Sequence, residues 1–177
     1  MIAGTEITLV KPRLELAEDV RQALAESYAD LIKFLLWPVP DPSLDAVRTN
    51  IEQAIHNFEN HLNEYRFLII RNSDSKLMGN ISLLIRDLKI PYFEFGYWVR
   101  SSEHGNGYIG KAVEMLESYA VTELKARRLE IRMAESNVKS KLVAERAGYE
   151  FEAKLHSDRV LLDGSIENSL VYYKLYS

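Results

Sequence analysis

The stretch Glu94-Phe95-Gly96-Tyr97-Trp98-Val99-Arg100-Ser101-Ser102-Glu103-His104-Gly105-Asn106-Gly107-Tyr108-Ile109-Gly110-Lys111-Ala112 sets three kinds of structure end to end. The aromatic-rich run from Tyr92 to Arg100 reads as a buried strand. A short polar turn with glycines at 105, 107 and 110 follows. From Gly107 to Ala126 the apolar residues Ala112, Val113, Leu116, Tyr119, Ala120 and Leu124 then recur on one helical face. The first turn of a helix carries unpaired N–H groups and about half a positive charge, which suits a phosphate. Glycine lets the backbone come close to such an anion. A turn that needs its glycines for packing alone would look the same, so the loop by itself predicts an anion at a helix N-terminus and no more. Gly105-x-Gly107-x-x-Gly110 spells a dinucleotide-binding fingerprint, yet it sits at mid-chain after antiparallel strands. The acidic residue that fingerprint wants about 20 positions on would fall partly inside the helix, between Glu123 and Glu130. A Walker-type phosphate loop is excluded, since no Gly-Lys-Ser/Thr follows.

Working outward, Thr5 to Arg13 alternates as a short strand, and Glu15 to Leu36 carries Val20, Leu24, Tyr28, Leu31, Ile32 and Leu35 at helical spacing. Pro38, Pro40 and Pro42 forbid its continuation. Ser43 or Asp45 caps a second helix with Val47, Ile51, Ala54, Ile55, Phe58 and Leu62 inward. Tyr65–Arg71 and Leu77–Ile85 are strands joined by the polar turn Asn72 to Lys76. Downstream come a strand from Leu129 to Met133, a helix from Asn137 to Ala147 stopped by Gly148, and strands Tyr149–Leu155 and Leu170–Leu175 around an Asp163-Gly164 turn. The order β-α-α-β-β-β-α-β-α-β-β predicts one mixed α/β domain over residues 1–177, antiparallel in its first half with a βαβ unit in its second.

A chain of 177 residues with 47% apolar and 27% charged residues fits one ordinary globular domain. Its net charge of −4 argues against nonspecific nucleic-acid binding. There is no cysteine, which excludes a disulfide framework, a Cys nucleophile and thiolate metal sites. The first residues lack the pattern of a signal peptide, and no apolar run approaches the roughly 20 residues of a membrane span. A cytoplasmic protein without a membrane partner is expected. His56 and His61 lie on a polar helix face without a third ligand and His156 is isolated, so no metal is expected either. Lys125-Ala126-Arg127-Arg128 places cations at a helix C-terminus, where the dipole favours them.

Five pieces stand in order along the chain: Leu36-Trp37-Pro38; Met78-Gly79-Asn80-Ile81; Glu94-Phe95-Gly96-Tyr97-Trp98; His104-Gly105-Asn106-Gly107-Tyr108; and Asn137-Val138-Lys139-Ser140 with Glu145-Arg146-Ala147-Gly148-Tyr149. In this order and spacing they resemble the GNAT superfamily of N-acetyltransferases. Within it, the likeness is to the Rim-type ribosomal-protein enzymes that act on N-terminal serine or alanine. The resemblance implies a mostly antiparallel sheet, flanked by helices and splayed between the fourth and fifth strands, Tyr92–Arg100 and Leu129–Met133. It implies acetyl-CoA as co-substrate, its pantetheine beside Trp98 and Val99 and its pyrophosphate on His104, Gly105, Asn106, Gly107, Tyr108 and Ile109. Asn137 would orient the pantetheine while capping its helix. Ser140 would reprotonate the thiolate, because the tyrosine that many relatives carry for this is Ala144 here. Trp37 would line the acceptor pocket.

Direct attack by an amine needs a proton acceptor. Alternation sets Glu94 on the face opposite Phe93, Phe95 and Tyr97, with Tyr92 and Trp98, where it is the first candidate. Asp87, Glu130, Glu135 and Asp158 are its rivals. Each assignment has a plainer counterpart: an ion pair of Glu94 with Arg86, a Ser140 bonded to its own backbone, an Asn137 that only caps, a Trp37 packed in its bend. The expected acceptor is a protein N-terminus, such as that of a ribosomal protein. A small amine such as spermidine or an aminoglycoside, and a CoA-binding module without turnover, stay open. So does the choice of monomer or homodimer, with Tyr172, Tyr173 and Tyr176 on the last strand as a surface for a second copy.

Overall fold

A computed structural model describes all of residues 1–177. Eight strands form one sheet: β1 (Ile2–Ala3), β2 (Ile7–Val10), β3 (Glu64–Arg71), β4 (Leu77–Asp87), β5 (Tyr92–Val99), β6 (Arg128–Ala134), β7 (Glu150–Val160) and β8 (Ile166–Leu175). Their order is β1-β2-β3-β4-β5-β6-β8-β7, antiparallel throughout except for the parallel pair β5–β6. The four helices are α1 (Ala17–Leu31), α2 (Leu44–Glu59), α3 (Tyr108–Thr122) and α4 (Val138–Arg146). This is the single α/β architecture expected, with the βαβ unit at β5-α3-β6.

Alternation along the central strands sorts the core into two layers. Phe67, Ile69, Ile81, Leu83, Phe93, Phe95, Leu129 and Ile131 face Ala112, Val113, Leu116 and Ala120 of α3 and Ala144 of α4. Leu68, Leu77 and Trp98 face the other way, against Ala17, Val20, Ala23 and Leu31 of α1 and Val47 and Ile51 of α2. Ser43 caps α2, its side chain accepting from the Ala46 N–H at 3.1 Å.

Several boundaries differ from expectation, among them the end of α3, at Thr122 and not Ala126. The first helix stops at Leu31, not Leu36: Phe34 and Leu35 donate back to the Leu31 carbonyl in a closing turn. Pro38 bars Trp37 from helical dihedrals, and the chain unwinds a turn earlier. The strand expected from Thr5 to Arg13 is confined to Ile7–Val10, and an unexpected two-residue strand, Ile2–Ala3, precedes it across a turn in which the Gly4 N–H bonds the Ile7 carbonyl. The last two strands run longer than Leu155 and start earlier than Leu170. Bulges between Phe151 and Ala153 and between Leu155 and Arg159 break the apolar alternation that would have marked them.

The parallel pair is short. Tyr92–Phe95 match Arg128–Ile131, and there the pairing ends. Beyond it β5 keeps β4 as its partner through Gly79↔Val99, while β6 keeps β8 through Ala134↔Ser169. The expected splay is therefore present. Gly79 holds the β4 side of it closed: a Cβ there would lie 2.1 Å from the Trp98 carbonyl oxygen and 2.8 Å from the Val99 Cα. Both are backbone atoms that no rotamer change can move. Gly79→Ala is expected to cost at least about 3 kcal/mol, read as a fall in the urea midpoint.

Candidate active site

Where β5 and β6 part, a cavity of about 430 Å³ opens between Tyr97–Val99 on one side and residues 136–140 on the other. Leu31, Phe34 and Leu35 at the end of α1 wall it from one face, and Ile109 and Val143 from the other. Of the residues expected to hold the cofactor, Trp98, Val99, His104, Ile109, Asn137 and Ser140 line this cavity. Antiparallel pairing alternates hydrogen-bonded and free residues. The Arg100 N–H bonds the Met78 carbonyl, so Trp98, two residues back, also directs its backbone to β4. The backbone groups turned toward the gap are those of Tyr97 and Val99.

Gly105, Asn106, Gly107 and Tyr108 stand just beyond the lining, at the head of α3. Gly107 is the N-cap with φ of 76°, and it offers no side chain to the first turn of the helix. That leaves N–H groups free at an end where the helix dipole favours an anion. The loop is held from behind. Glu103 is buried and accepts from Arg71 at 3.0 Å, Lys76 at 2.9 Å and Asn106 at 3.3 Å. On α1, Glu26 accepts from the Ser102 N–H and hydroxyl and from Arg100, Ser27 accepts from the Ser101 N–H, and Asp30 accepts from the Ser101 hydroxyl. Asp30 is held down to about 2 by hydrogen bonds from Lys33 and Ser101. His104, where a permanent cation would be stronger, has its pKa lowered by burial and by Lys139, whose ammonium lies 3.0 Å from Nδ1. An accepting Nδ1 fits a neutral imidazole. The cations at the cavity are thus Lys33 and Lys139.

Asn137 caps α4, its side-chain oxygen accepting from the Ser140 N–H at 3.1 Å. Capping and facing the cavity coexist. The Ser140 hydroxyl is not spent on its own backbone: it lies 2.8 Å from the Tyr97 hydroxyl, across the gap between the strands. Burial pushes the Tyr97 phenol up to about 12, so it is neutral and keeps its proton. Sequence reasoning placed Tyr97 in the core with Phe93 and Phe95. Its alternation was read correctly, but the ring sits where β6 has already left.

Glu94 is buried outside the cavity. Arg86 donates to its Oε2 from Nε at 3.0 Å and Nη2 at 2.6 Å, and Arg132 lies 3.5 Å away. The Arg86 pair raised as the plainer reading is therefore present. Its cross-strand neighbour Glu130 is 2% exposed and takes hydrogen bonds from Arg128 and Arg132. Burial alone would raise the Glu130 pKa; hydrogen bonds from Tyr92, Arg132 and Arg128 outweigh it and leave the group below the ordinary carboxylate range. Asp87 caps the β4–β5 turn through the Lys89 N–H. Glu135 is tied to Lys154 and Asn168, and Asp158 is exposed on β7. None of these rivals lines the cavity. Trp37 is 55% exposed and lines a neighbouring pocket, which meets the cavity at Leu35, Tyr97 and Trp98. Asp30, Lys33 and Lys139 were not singled out from sequence. The available signal was a charged pair, Asp30 and Lys33, within the apolar run that closes the first helix.

Residues 6–150 match the family model described as acetyltransferase (GNAT) domain. YdaF of Bacillus subtilis (strain 168), whose name proposes a ribosomal N-acetyltransferase, is 31% identical over 169 residues, 96% of this chain and 89% of its own. The microcin C7 self-immunity acetyltransferase MccE, crystallised with acetyl-CoA and AMP, is 25% identical and superposes with a TM-score of 0.89, over 98% of this chain and 94% of MccE. The ribosomal-protein α-N-acetyltransferase RimL, in complex with coenzyme A, reaches a TM-score of 0.91 over 98% of this chain and 97% of its own. RimL is 20% identical, and that likeness is one of fold.

The depressed Glu130 has a consequence for pH. A carboxylate whose folded pKa lies below its unfolded value of about 4.3 stabilises the fold above that value, and loses the contribution as pH falls through the folded one. The urea midpoint is expected to drop as pH falls from about 5 through the unfolded value and below, and to drop less in Glu130→Gln, which has no such proton to gain.

Proposed function

The chain belongs to the acetyltransferase (GNAT) family, and on that premise we propose that it moves an acetyl group from acetyl-CoA to a primary amine, the N-terminal α-amine of a protein. The carrying observation is the gap between β5 and β6, with backbone groups that β6 no longer pairs on one wall and the Tyr97–Ser140 hydroxyl pair crossing it. In this reading the pantetheine lies along Tyr97–Val99 as an added strand. The N–H groups at the head of α3 receive the pyrophosphate, with Lys33 and Lys139 adding charge. His104, Gly105, Asn106, Gly107, Tyr108 and Ile109 form that cradle, and Asn137 orients the pantetheine amide.

The amine attacks the thioester carbonyl directly. A C–N bond forms, negative charge moves to the oxygen beside a strand N–H, and the C–S bond then breaks. The departing thiolate takes a proton from Ser140, which draws on the Tyr97 phenol behind it. The proton lost by the amine leaves through the Trp37 pocket, directly to water or to a carboxylate; Glu94 is two residues along β5 from Gly96 in that pocket's wall. No acyl-enzyme is needed, in accord with a chain that has no cysteine.

Ribosomal proteins are the acceptor class favoured by the relative that covers nearly the whole chain. A second reading, a small-molecule acceptor, is favoured by MccE, which was crystallised with a nucleotide beside acetyl-CoA. Offering acetyl-CoA with serine- and alanine-starting peptides, spermidine, an aminoglycoside and an aminoacyl nucleotide decides between them. The highest kcat/KM is expected with the peptides; CoA release at background with every amine would overturn the reading. Ser140→Ala and Tyr97→Phe are each expected to lower kcat about tenfold to a hundredfold with the KM for acetyl-CoA nearly unchanged. The double variant should be no worse than the poorer single one, since the two hydroxyls act in series.

A further inference from the structure

The Trp37 pocket, of about 360 Å³, lies on the α1–α2 side of the sheet and meets the acetyl cleft at Leu35, Tyr97 and Trp98. Its floor is built by three adjacent strands. Register sets Arg66, Ser82 and Gly96 in one row, and Glu64 and Leu84 in the next. Gly96 leaves the middle open: a Cβ there would meet nothing nearer than Leu84 at 3.8 Å. Asn80 and Ser82 add polar side chains to the lining.

Glu64 is the pocket's one acidic lining residue and Arg66 its one basic residue. They do not cancel as seen from inside. Both terminal nitrogens of Arg66 are engaged, Nη2 with Glu64 Oε1 and Nη1 with Asn50 at 2.6 Å, and Nε is sealed from solvent. Glu64 Oε2, by contrast, accepts from no protein group and is not sealed. The charge that the pocket can offer a ligand is therefore a carboxylate oxygen, on a side chain 11% exposed. A desolvated carboxylate attracts a cation far more strongly than one in water. Glu94, with Arg86 and Arg132 around it, lies outside the lining.

We propose that Glu64 receives the positive charge of the acceptor amine and sets the acceptor class: cationic primary amines with a polar, uncharged neighbour, for which Asn80 and Ser82 supply hydrogen bonds. An acceptor with a carboxylate beside its amine is disfavoured by the same oxygen. The inference rests on the reading of the adjoining gap as the acetyl-CoA site.

The test uses the full chain and the best amine found in the panel. Glu64→Gln, which keeps the shape, is expected to raise the KM for the acceptor roughly tenfold to a hundredfold, the range of a hydrogen bond to a charged group, while the KM for acetyl-CoA stays unchanged. Glu64→Asp should recover part of the loss. Binding measured in the presence of CoA separates charge from shape. A serine-starting peptide should bind Glu64→Gln no better than its N-formyl analogue, and the uncharged analogue should bind both proteins alike. An unchanged acceptor KM, or an equal loss for the N-formyl peptide, overturns the proposal. If small amines are acetylated and peptides are not, the protein-acceptor reading fails, and the same KM criterion applied to the small amine decides for or against Glu64. Transfer to no amine overturns both.

Discussion

Parallel pairing between β5 and β6 lasts from Tyr92↔Arg128 to Phe95↔Ile131, and every backbone group past that point must find another partner. Each strand is prevented from closing the gap by its outer neighbour. Gly79 lets β4 draw the end of β5 against itself, and β8 follows β6 as far as Ala134. The gap is thus enforced from both sides. Its two edges carry different chemistry because alternation sends Tyr97 and Val99 to the α3–α4 face and Trp98 to the α1–α2 face. A thioester seated there would meet a proton donor on one face and an open polar pocket on the other.

Charge is arranged differently on the two sides of this gap. The sheet surface beside it carries an alternating chain, Arg86–Glu94–Arg132–Glu130–Arg128–Glu152, in which each carboxylate is balanced by its neighbours. Removing an arginine partner from Glu130, its most buried member, leaves a buried charge uncompensated at a cost of about 3–5 kcal/mol, so the chain's first role is to keep the sheet intact. At the cleft the balance is incomplete: Lys33 pairs with Asp30 at 2.7 Å, while Lys139 lies beside His104. Two helix N-termini, each worth about half a charge, and two lysines are left facing it, while His104 is kept neutral. Set against the one carboxylate of Asp30, that leaves the cleft positive, as an anionic co-substrate requires.

Much of this was legible in the sequence because it depends on short-range patterns. Periodicity found α1, carried past its true end, and α2 and α3 with the apolar faces they turn inward, and Gly148 marked the end of α4. The glycines at 105 and 107 marked the loop, and the family resemblance pointed to Asn137 and Ser140, which line the cleft. What escaped depends on where neighbours end. Tyr97 looked like Phe93 and Phe95, and only the loss of β6 beside it makes it different. Glu94 had the right face and burial for a base; Arg86 could be named as a partner, but that arginines of both adjacent strands reach it is a question of register that no periodicity answers. Glu64 was invisible for the same reason, since its setting comes from β4 and β5 together with the bend at Trp37.

The clasp between α1 and the loop after β5 ties together parts that are 70 or more residues apart in sequence. Glu26, Ser27 and Asp30 bond residues 100–102, and the same helix runs on into the bend that covers the acceptor side. Amides protected by this clasp form one cooperative unit of opening, so hydrogen exchange at the head of α3 and at the end of α1 should share a single free energy. By that coupling, an anion that steadies the loop also steadies the wall against which the second substrate packs.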